Sequence, residues 1–260
     1  MRIDFSNILL MSDLDGTFLS SETKPVERNM KALERFRAGG GLFSFVTGRV
    51  HTTLEKNVLP GYREMINCPA IMCNGSCVYD PFSETMLFEE FLDGAKIRPL
   101  AEKICGSGKF TVYYYVGGEY SCYRDTPLDQ VESNCWHKVV FVGSIDDVAV
   151  GRKILAENQT EDYRFFRASP RILEILPAKA GKGQMLRNLK QWYAQQGRSL
   201  KTIGVGDYEN DLDLMDCADI SVCPANAMPE VKQKADHIFC DHNQGVIADI
   251  IEALEKGELE

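Results

Sequence analysis

The chain has 260 residues, 44% hydrophobic and 26% charged, with a net charge of −9 at pH 7. Such a chain can bury a real core, as one large domain or two modest ones. Its acidic balance argues against a nucleic-acid partner, because phosphate-backbone binding needs a basic face, but not against a small phosphorylated ligand where a local cation reverses the field.

In chain order, the apolar run Ile8-Leu9-Leu10-Met11 reads as a buried parallel strand. An amphipathic helix follows from about Pro25 to Ala38, with Val26, Met30, Leu33 and Phe36 at helical spacing and Gly39-Gly40-Gly41 as its stop. Leu42 to Val46 reads as a second strand, so this strand–helix–strand unit predicts a right-handed crossover and a parallel sheet. Ala70 to Cys73 is a further short strand before the turn signal Asn74-Gly75. The middle, 91–177, changes texture. Phe110 to Val116 and Tyr120 to Tyr123 flank Gly117-Gly118 as a hairpin, Lys138 to Val142 and Ile172 to Leu176 add strands, and helices are expected near Lys96 to Ile104 and Asp146 to Glu157. The C-terminal third returns to the first grammar: a helix from Lys182 to Gln196, a strand Thr202 to Val205, then short alternations to a terminal helix from Val246. The fold class expected is α/β: a three-layer α/β/α, Rossmann-like core with a parallel sheet, formed by 1–90 and 178–260, carrying an inserted α+β module at 91–177.

No apolar stretch approaches membrane-spanning length, and no long apolar leader precedes the first strand. A cytoplasmic protein with no membrane partner is expected, as a monomer or weak homo-oligomer. The nine cysteines are odd in number, and Cys68, Cys73 and Cys77 lack the CxxC spacing of zinc sites, so reduced and mostly buried thiols are expected.

Four segments concentrate polar chemistry where such a sheet gathers its ligands, at the carboxyl ends of strands. Asp13-Leu14-Asp15-Gly16-Thr17 ends the first strand with two carboxylates, which can hold a hard cation such as Mg²⁺ or divide nucleophilic and acid–base work. By itself the pentapeptide also suits a polar turn. Val46-Thr47-Gly48-Arg49 offers a hydroxyl and a backbone N–H to a phosphoryl oxygen, and taken alone suits a Thr-Gly turn with a solvated Arg equally well. Lys182 opens a helix, where a cation opposes the dipole unless an anion sits beside it, although by itself it also suits a solvated surface lysine. Its surroundings, Ala180-Gly181-Lys182-Gly183, are not a P-loop. Gly206-Asp207-Tyr208-Glu209-Asn210-Asp211 follows a buried strand, with Asp207 suited to a cation and Asp211 returning to the same side; a helix cap explains one of these residues but not the cluster.

Taken together, Asp13 to Thr17, Val46 to Arg49, Gly181 to Gly183 and Gly206 to Met215 resemble the haloacid dehalogenase superfamily phosphatases, of the Cof-type subgroup (subfamily IIB) with a large α/β cap. Asn74-Gly75 and the run Asn226 to Lys232 resemble that subgroup as well. The resemblance implies that Asp13 is the nucleophile forming an aspartyl-phosphate and that Asp15 is the general acid and base. It implies phosphate contacts from Thr47, Gly48, Lys182 and Asn210, and Mg²⁺ on the Asp13 carboxylate, the Asp15 backbone carbonyl and Asp207, with Asp211 and Arg49 in support. The partner implied is a small phosphorylated metabolite, read by the cap; Arg124, Trp136, His137, Lys138 and Arg167 are candidate cap contacts with Tyr113 to Tyr115 nearby, although aromatics at strand spacing more often belong to a core. A phosphohexomutase of the same fold, or a silent phosphate-binding regulator, are the alternative readings. Phe18, where an aliphatic residue is usual in the family, is expected to alter packing rather than chemistry.

Overall fold

The structure, a computed structural model, describes residues 3–116, 119–122, 130–131 and 135–259, with main chain alone at 119–122. The chain runs β1 (Ile8–Ser12), α1 (Glu27–Ala38), β2 (Leu42–Phe45), the short helical segments α2 (His51–Thr53) and α3 (Tyr62–Met65), then β3 (Ala70–Met72), β4 (Cys77–Asp80) and β5 (Thr85–Glu89). It continues through α4 (Gly94–Cys105), β6 (Thr111–Val116), β7 (Glu119–Cys122), β8 (Trp136–Val142), α5 (Ile145–Glu157), β9 (Tyr163–Ser169) and β10 (Ile172–Pro177). The last part is α6 (Lys182–Gln195), β11 (Lys201–Val205), α7 (Leu212–Cys217), β12 (Ile220–Pro224), α8 (Pro229–Lys234), β13 (His237–Phe239) and α9 (Val246–Lys256). Among the described residues no helix is long and apolar enough to cross a membrane.

The first sheet has the order β13-β12-β11-β1-β2 and is parallel throughout. Its central strand shows why the sequence reads as an unbroken apolar run. Leu10 packs to one face with Phe36 of α1 and Ile250 of α9, while Leu9 and Met11 pack to the other with Leu186 of α6, Leu214 of α7 and Val231 of α8. A sheet covered on both faces needs apolar side chains at every position. These are the three expected layers. β3, β4 and β5 form a small antiparallel sheet joined to the edge of the first through the Val46–Ile71 bridge.

The second large sheet, β7-β6-β8-β10-β9, is antiparallel. It buries one face under α4 and α5, around Trp136, Tyr114, Phe141 and Leu173. β4, β5 and β9 have no counterpart in the elements expected from sequence. Strand Thr85–Glu89 is half-exposed and β9 interleaves Arg164 and Arg167 with its aromatics, so neither carries a clean apolar period.

Phe18 is fully buried against Phe45, with ring centroids 4.9 Å apart, and Phe45 meets Phe43 edge-on at 5.3 Å. The aromatic at position 18 thus fills the space between the first loop and β2, a packing role as expected. Edge-on aromatic clusters in a closed core tolerate truncation poorly. Phe43→Ala is expected to lose about 3–5 kcal/mol of stability, read as a lowered urea midpoint with an unchanged slope; a midpoint within error of the parent would show that the cluster contributes little.

Candidate active site

Three neighbouring parallel strands, β2, β1 and β11, end on one side of the sheet, and the polar segments stand directly beyond them. The Asp13 amide donates to the Val205 carbonyl, which sets the loop after β1 against the loop after β11. Gly16 has φ of +77°, and a Cβ there would lie 2.6 Å from an Asp207 carboxylate oxygen. Only glycine allows that approach. Thr17 Oγ1 donates to Asp207 Oδ1 at 3.1 Å, while Asn226 Nδ2 donates to the Gly16 carbonyl at 2.8 Å. The Asn226 to Lys232 run therefore frames both acidic loops from outside, with the Met228 amide bonded to the Asp207 carbonyl.

Lys182 begins α6 and has no solvent exposure. Its Nζ donates to Asp13 Oδ1 at 2.6 Å and to Asp211 Oδ1 at 2.5 Å. The anion demanded by a cation at a helix start is thus the protein's own carboxylate pair. Burial works against its charge, yet Asp13 and Asp211 hold it above the ordinary lysine value. Asp211 spends its other oxygen on the amides of Asp207 and Tyr208, at 2.9 and 3.0 Å. Burial pushes Asp13 well above the usual carboxylate range, with Asp211 and Asp207 adding to the push against the pull of Lys182. Asp207 rises to about 7, first from burial and then from Asp211.

One oxygen each from Asp13, Asp207 and Asp211 lie within 4.8 Å of one another. Three carboxylates face one ammonium, so the cluster has a surplus of negative charge in a place poor in water. Hard oxygen donors with unbalanced charge fit Mg²⁺. Because both Asp211 oxygens already have partners, Asp13 and Asp207 retain the freer carboxylate oxygens for a cation. The Asp15 side chain is turned elsewhere: its two oxygens accept from Arg49 Nε and a terminal Arg49 nitrogen, both at 2.8 Å. Arg49, expected in a supporting role, is the bidentate partner of Asp15.

Thr47 is buried after β2, and its Oγ1 accepts from the Arg49 amide at 3.2 Å. The Thr47 carbonyl takes the Asn74 amide at 2.9 Å. Asn74 is a hub that the sequence shows only as part of a turn. Cys73 and Asn74 both have positive φ, 53° and 55°, before Gly75 at 87°. Non-glycine residues in that region store strain and persist only where neighbours over-determine them. Here a Cβ on Gly75 would fall 2.1 Å from the Gly181 carbonyl carbon, and the Gly181 amide donates to the Gly75 carbonyl. The turn thus clamps the start of α6. Asn74 Oδ1 accepts from Asn210 Nδ2 at 3.0 Å, and Asn74 Nδ2 donates to Glu174 Oε2 at 2.7 Å. Asn210 Oδ1 is buried without a partner.

A cavity of about 650 Å³ opens from these loops to the second sheet, lined by Asp13, Asp15, Gly48, Arg49, Asp207 and Asn210 on one side. Across it, Lys138 Nζ donates to the Gly48 carbonyl at 2.8 Å and to both oxygens of Glu174 at 3.0 Å, and lies 4.8 Å from the Tyr115 ring centre. Glu174 was missed in the sequence, although a lone carboxylate in an apolar strand is a readable signal. Of the cap residues singled out, Tyr113, Tyr115 and Lys138 line the cavity. Tyr114 and Trp136 are buried in the module's own core. His137 is fully buried, bonded to Glu89 and packed on Phe91. Arg167 pairs with Glu209 rather than facing the cavity. Arg124 lies outside the described residues.

The chain matches the family model of haloacid dehalogenase-like hydrolases over residues 10–134 and 119–251. It is 23% identical to a 5-amino-6-(5-phospho-D-ribitylamino)uracil phosphatase of Bacillus subtilis, covering 95% of this chain and 97% of that one. It is 24% identical to a pyridoxal phosphate phosphatase of Escherichia coli, covering 92% and 95%. Among solved structures, the subclass IIB sugar phosphatase BT4131 superposes with a TM-score of 0.80 at 17% identity, covering 95% of this chain and 99% of that chain. A haloacid dehalogenase-like hydrolase from Bacteroides thetaiotaomicron gives 0.78 at 22% identity, with the same coverage. These structures share the fold, a parallel core with the antiparallel module as its cap, and the family match runs through all four polar segments: this chain belongs to the haloacid dehalogenase-like hydrolases.

Proposed function

We propose that this chain is a Mg²⁺-dependent phosphatase that hydrolyses small phosphorylated metabolites through a phospho-Asp13 intermediate, with 1–90 and 178–260 as catalytic core and 91–177 as cap. The observation that carries the reading is the buried Asp13 carboxylate, bonded to Lys182 at 2.6 Å with Asp207 and Asp211 beside it. Phosphoryl transfer asks chiefly for positioning and charge neutralisation. Relatives named for a phosphorylated ribitylaminouracil and for pyridoxal phosphate support a small phosphorylated substrate.

Asp13, Asp207 and the Asp15 main-chain carbonyl would hold Mg²⁺, which would supply the positive charge that lets an anionic ester approach a carboxylate. Lys182 fixes one Asp13 oxygen and lowers the repulsion around it. The other oxygen attacks phosphorus, and the ester bond to the leaving alcohol breaks. Asp15 gives that alkoxide its proton, then takes a proton from the water that cleaves phospho-Asp13. For Asp15 to do so, Arg49 must share or release the carboxylate; its guanidinium fork matches a phosphoryl oxygen pair equally well. Thr47 Oγ1 and the Gly48 amide stand at the end of β2 for the transferring group, and Asn210, bonded to Asn74, lines the same cavity.

Phosphate-release assays on a panel of phosphorylated metabolites, with the alcohol product counted in parallel, are expected to give equal amounts of both, to require Mg²⁺ and to stop with EDTA. Phosphate conserved in an isomerised product would instead identify a mutase. Asp13→Asn is expected to lower kcat at least about a thousandfold, and near-parental turnover in that variant would remove the nucleophile assignment.

With p-nitrophenyl phosphate, whose leaving group needs no proton, Asp15→Asn is expected to release one enzyme equivalent of nitrophenol. Steady-state turnover then slows about 10²–10⁴-fold, as seen by rapid mixing. Undiminished steady-state turnover would rule out the acid–base role.

Asp207, raised to about 7 in the fold from 3.8, binds its proton more tightly folded than unfolded. The stability it contributes without a cation is present at low pH and is lost as pH rises through about 7. A cation competes with that proton. The rise in Tm on adding Mg²⁺ is therefore expected to be larger at pH 8 than at pH 6, and equal rises would place the cation away from Asp207.

A further inference from the structure

The cap-sheet face turned to the catalytic loops carries side chains that no step above uses. Along β8, Val139 and Phe141 enter the cap's own core, so alternation puts Lys138, Val140 and Val142 on the cavity side. The registers align Val142 with Ile172, and Tyr113 with Val140 and Glu174, while Tyr115 stands beside Lys138. An antiparallel sheet with one face on a core ordinarily presents polar side chains on the other. Here Tyr113, Val140, Val142 and Ile172 are apolar or aromatic, and they line the same cavity as Asp13 and Asp15.

The two charges on this face are spent on each other. An ammonium has three donors, and Lys138 gives them to the two Glu174 oxygens and the Gly48 carbonyl. Glu174 takes a further bond from Asn74. A hexose laid against Val140, Val142 and Ile172 would give up water from its hydroxyls without gaining partners there. A planar ring would bury apolar area at no such cost.

We propose that this wall of Val140, Val142 and Ile172, flanked by Tyr113 and Tyr115, seats an aromatic or heteroaromatic leaving group, so that the preferred substrates are arylmethyl phosphates rather than hexose phosphates. This rests on the phosphatase reading, and among the described residues the wall is continuous with the catalytic loops. The phosphoryl group sits at Asp13 and the ring lies along the cap strands, between the saturated Lys138–Glu174 pair and the Val142–Ile172 row.

Benzyl phosphate, pyridoxal 5′-phosphate and glucose 6-phosphate are all phosphates of primary alcohols, so their comparison reads the leaving-group seat more than intrinsic reactivity. With Mg²⁺ present, kcat/KM for the two arylmethyl phosphates is expected to exceed that for glucose 6-phosphate at least about tenfold. Val142→Ser/Ile172→Ser is expected to erase about that factor through KM; both positions are half-buried on the cavity side, and an unchanged melting temperature verifies the fold. Calorimetric binding to Asp13→Asn tests the seat without turnover: benzyl phosphate is expected to bind about tenfold tighter than glucose 6-phosphate. Equal or reversed affinities overturn the proposal, as does an unaltered ratio in the double serine variant. Tighter aryl binding with no phosphate released by the parent enzyme upholds the seat and overturns the phosphatase reading alone.

Discussion

Lys182 has no solvent-exposed surface, and its ammonium is held between two carboxylates, 2.6 Å from Asp13 and 2.5 Å from Asp211. Removing either partner from such a buried group leaves an uncompensated charge, which costs about 3–5 kcal/mol. Most local features of the site follow from keeping these three side chains together. Asp211 is held by two amides of its own loop, Asp13 by the β11 carbonyl that accepts its amide, and α6 by the close passage of Gly181 over Gly75. Asp207 adds a third carboxylate against the one ammonium, and burial first, then Asp211, raises it to about 7. This imbalance makes the site receptive to a divalent cation.

The catalytic core was legible because its chemistry ends its strands. β1, β2 and β11 are buried on both faces, so they stand out as short apolar runs, and Asp13, Thr47 and Asp207 are the first polar residues after them. Lys182 was legible through an electrostatic contradiction, a cation where a helix repels one. Asn74 was less so. Its neighbours in the chain mark only a turn, whereas its role comes from Asn210 and Glu174, 136 and 100 residues away. In the cap, strand positions were visible but their two faces were not. His137 and Lys138 both read as candidate contacts by residue type, yet Lys138, with Val140 and Val142, faces the cavity while His137 is buried; Trp136 is core, the reading favoured for an aromatic at strand spacing. The register irregularity between Tyr115 and Val116 breaks the alternation at the start of β8, so Trp136 enters the core although Lys138, two residues on, faces the cavity.

That register also governs what separating the cap sheet from the core would break. Lys138 and Glu174 belong to neighbouring strands of one sheet, so their ion pair is carried by the cap alone. Its links to the core are the Gly48 carbonyl and the Asn74 amide group, each a hydrogen bond to a charged partner, about 1.5–3 kcal/mol. Glu209 of the core meets Arg152 and Arg167 of the cap, both about 2.8 Å away, but these arginines are well exposed and such pairs contribute about 0–1 kcal/mol each. Among the described residues the Lys138–Glu174 pair would stay together on withdrawal, but Asp213 of the core would lose Arg164 of the cap, 2.8 Å away. The core's buried Lys182 likewise keeps both of its partners, Asp13 and Asp211, within the core. The most buried ion pairs therefore stay within their own side, while Arg164–Asp213, Glu209 with Arg152 and Arg167, and His137–Glu89 join the two. A cavity built this way can admit a phosphate ester between two preformed surfaces without unfolding either.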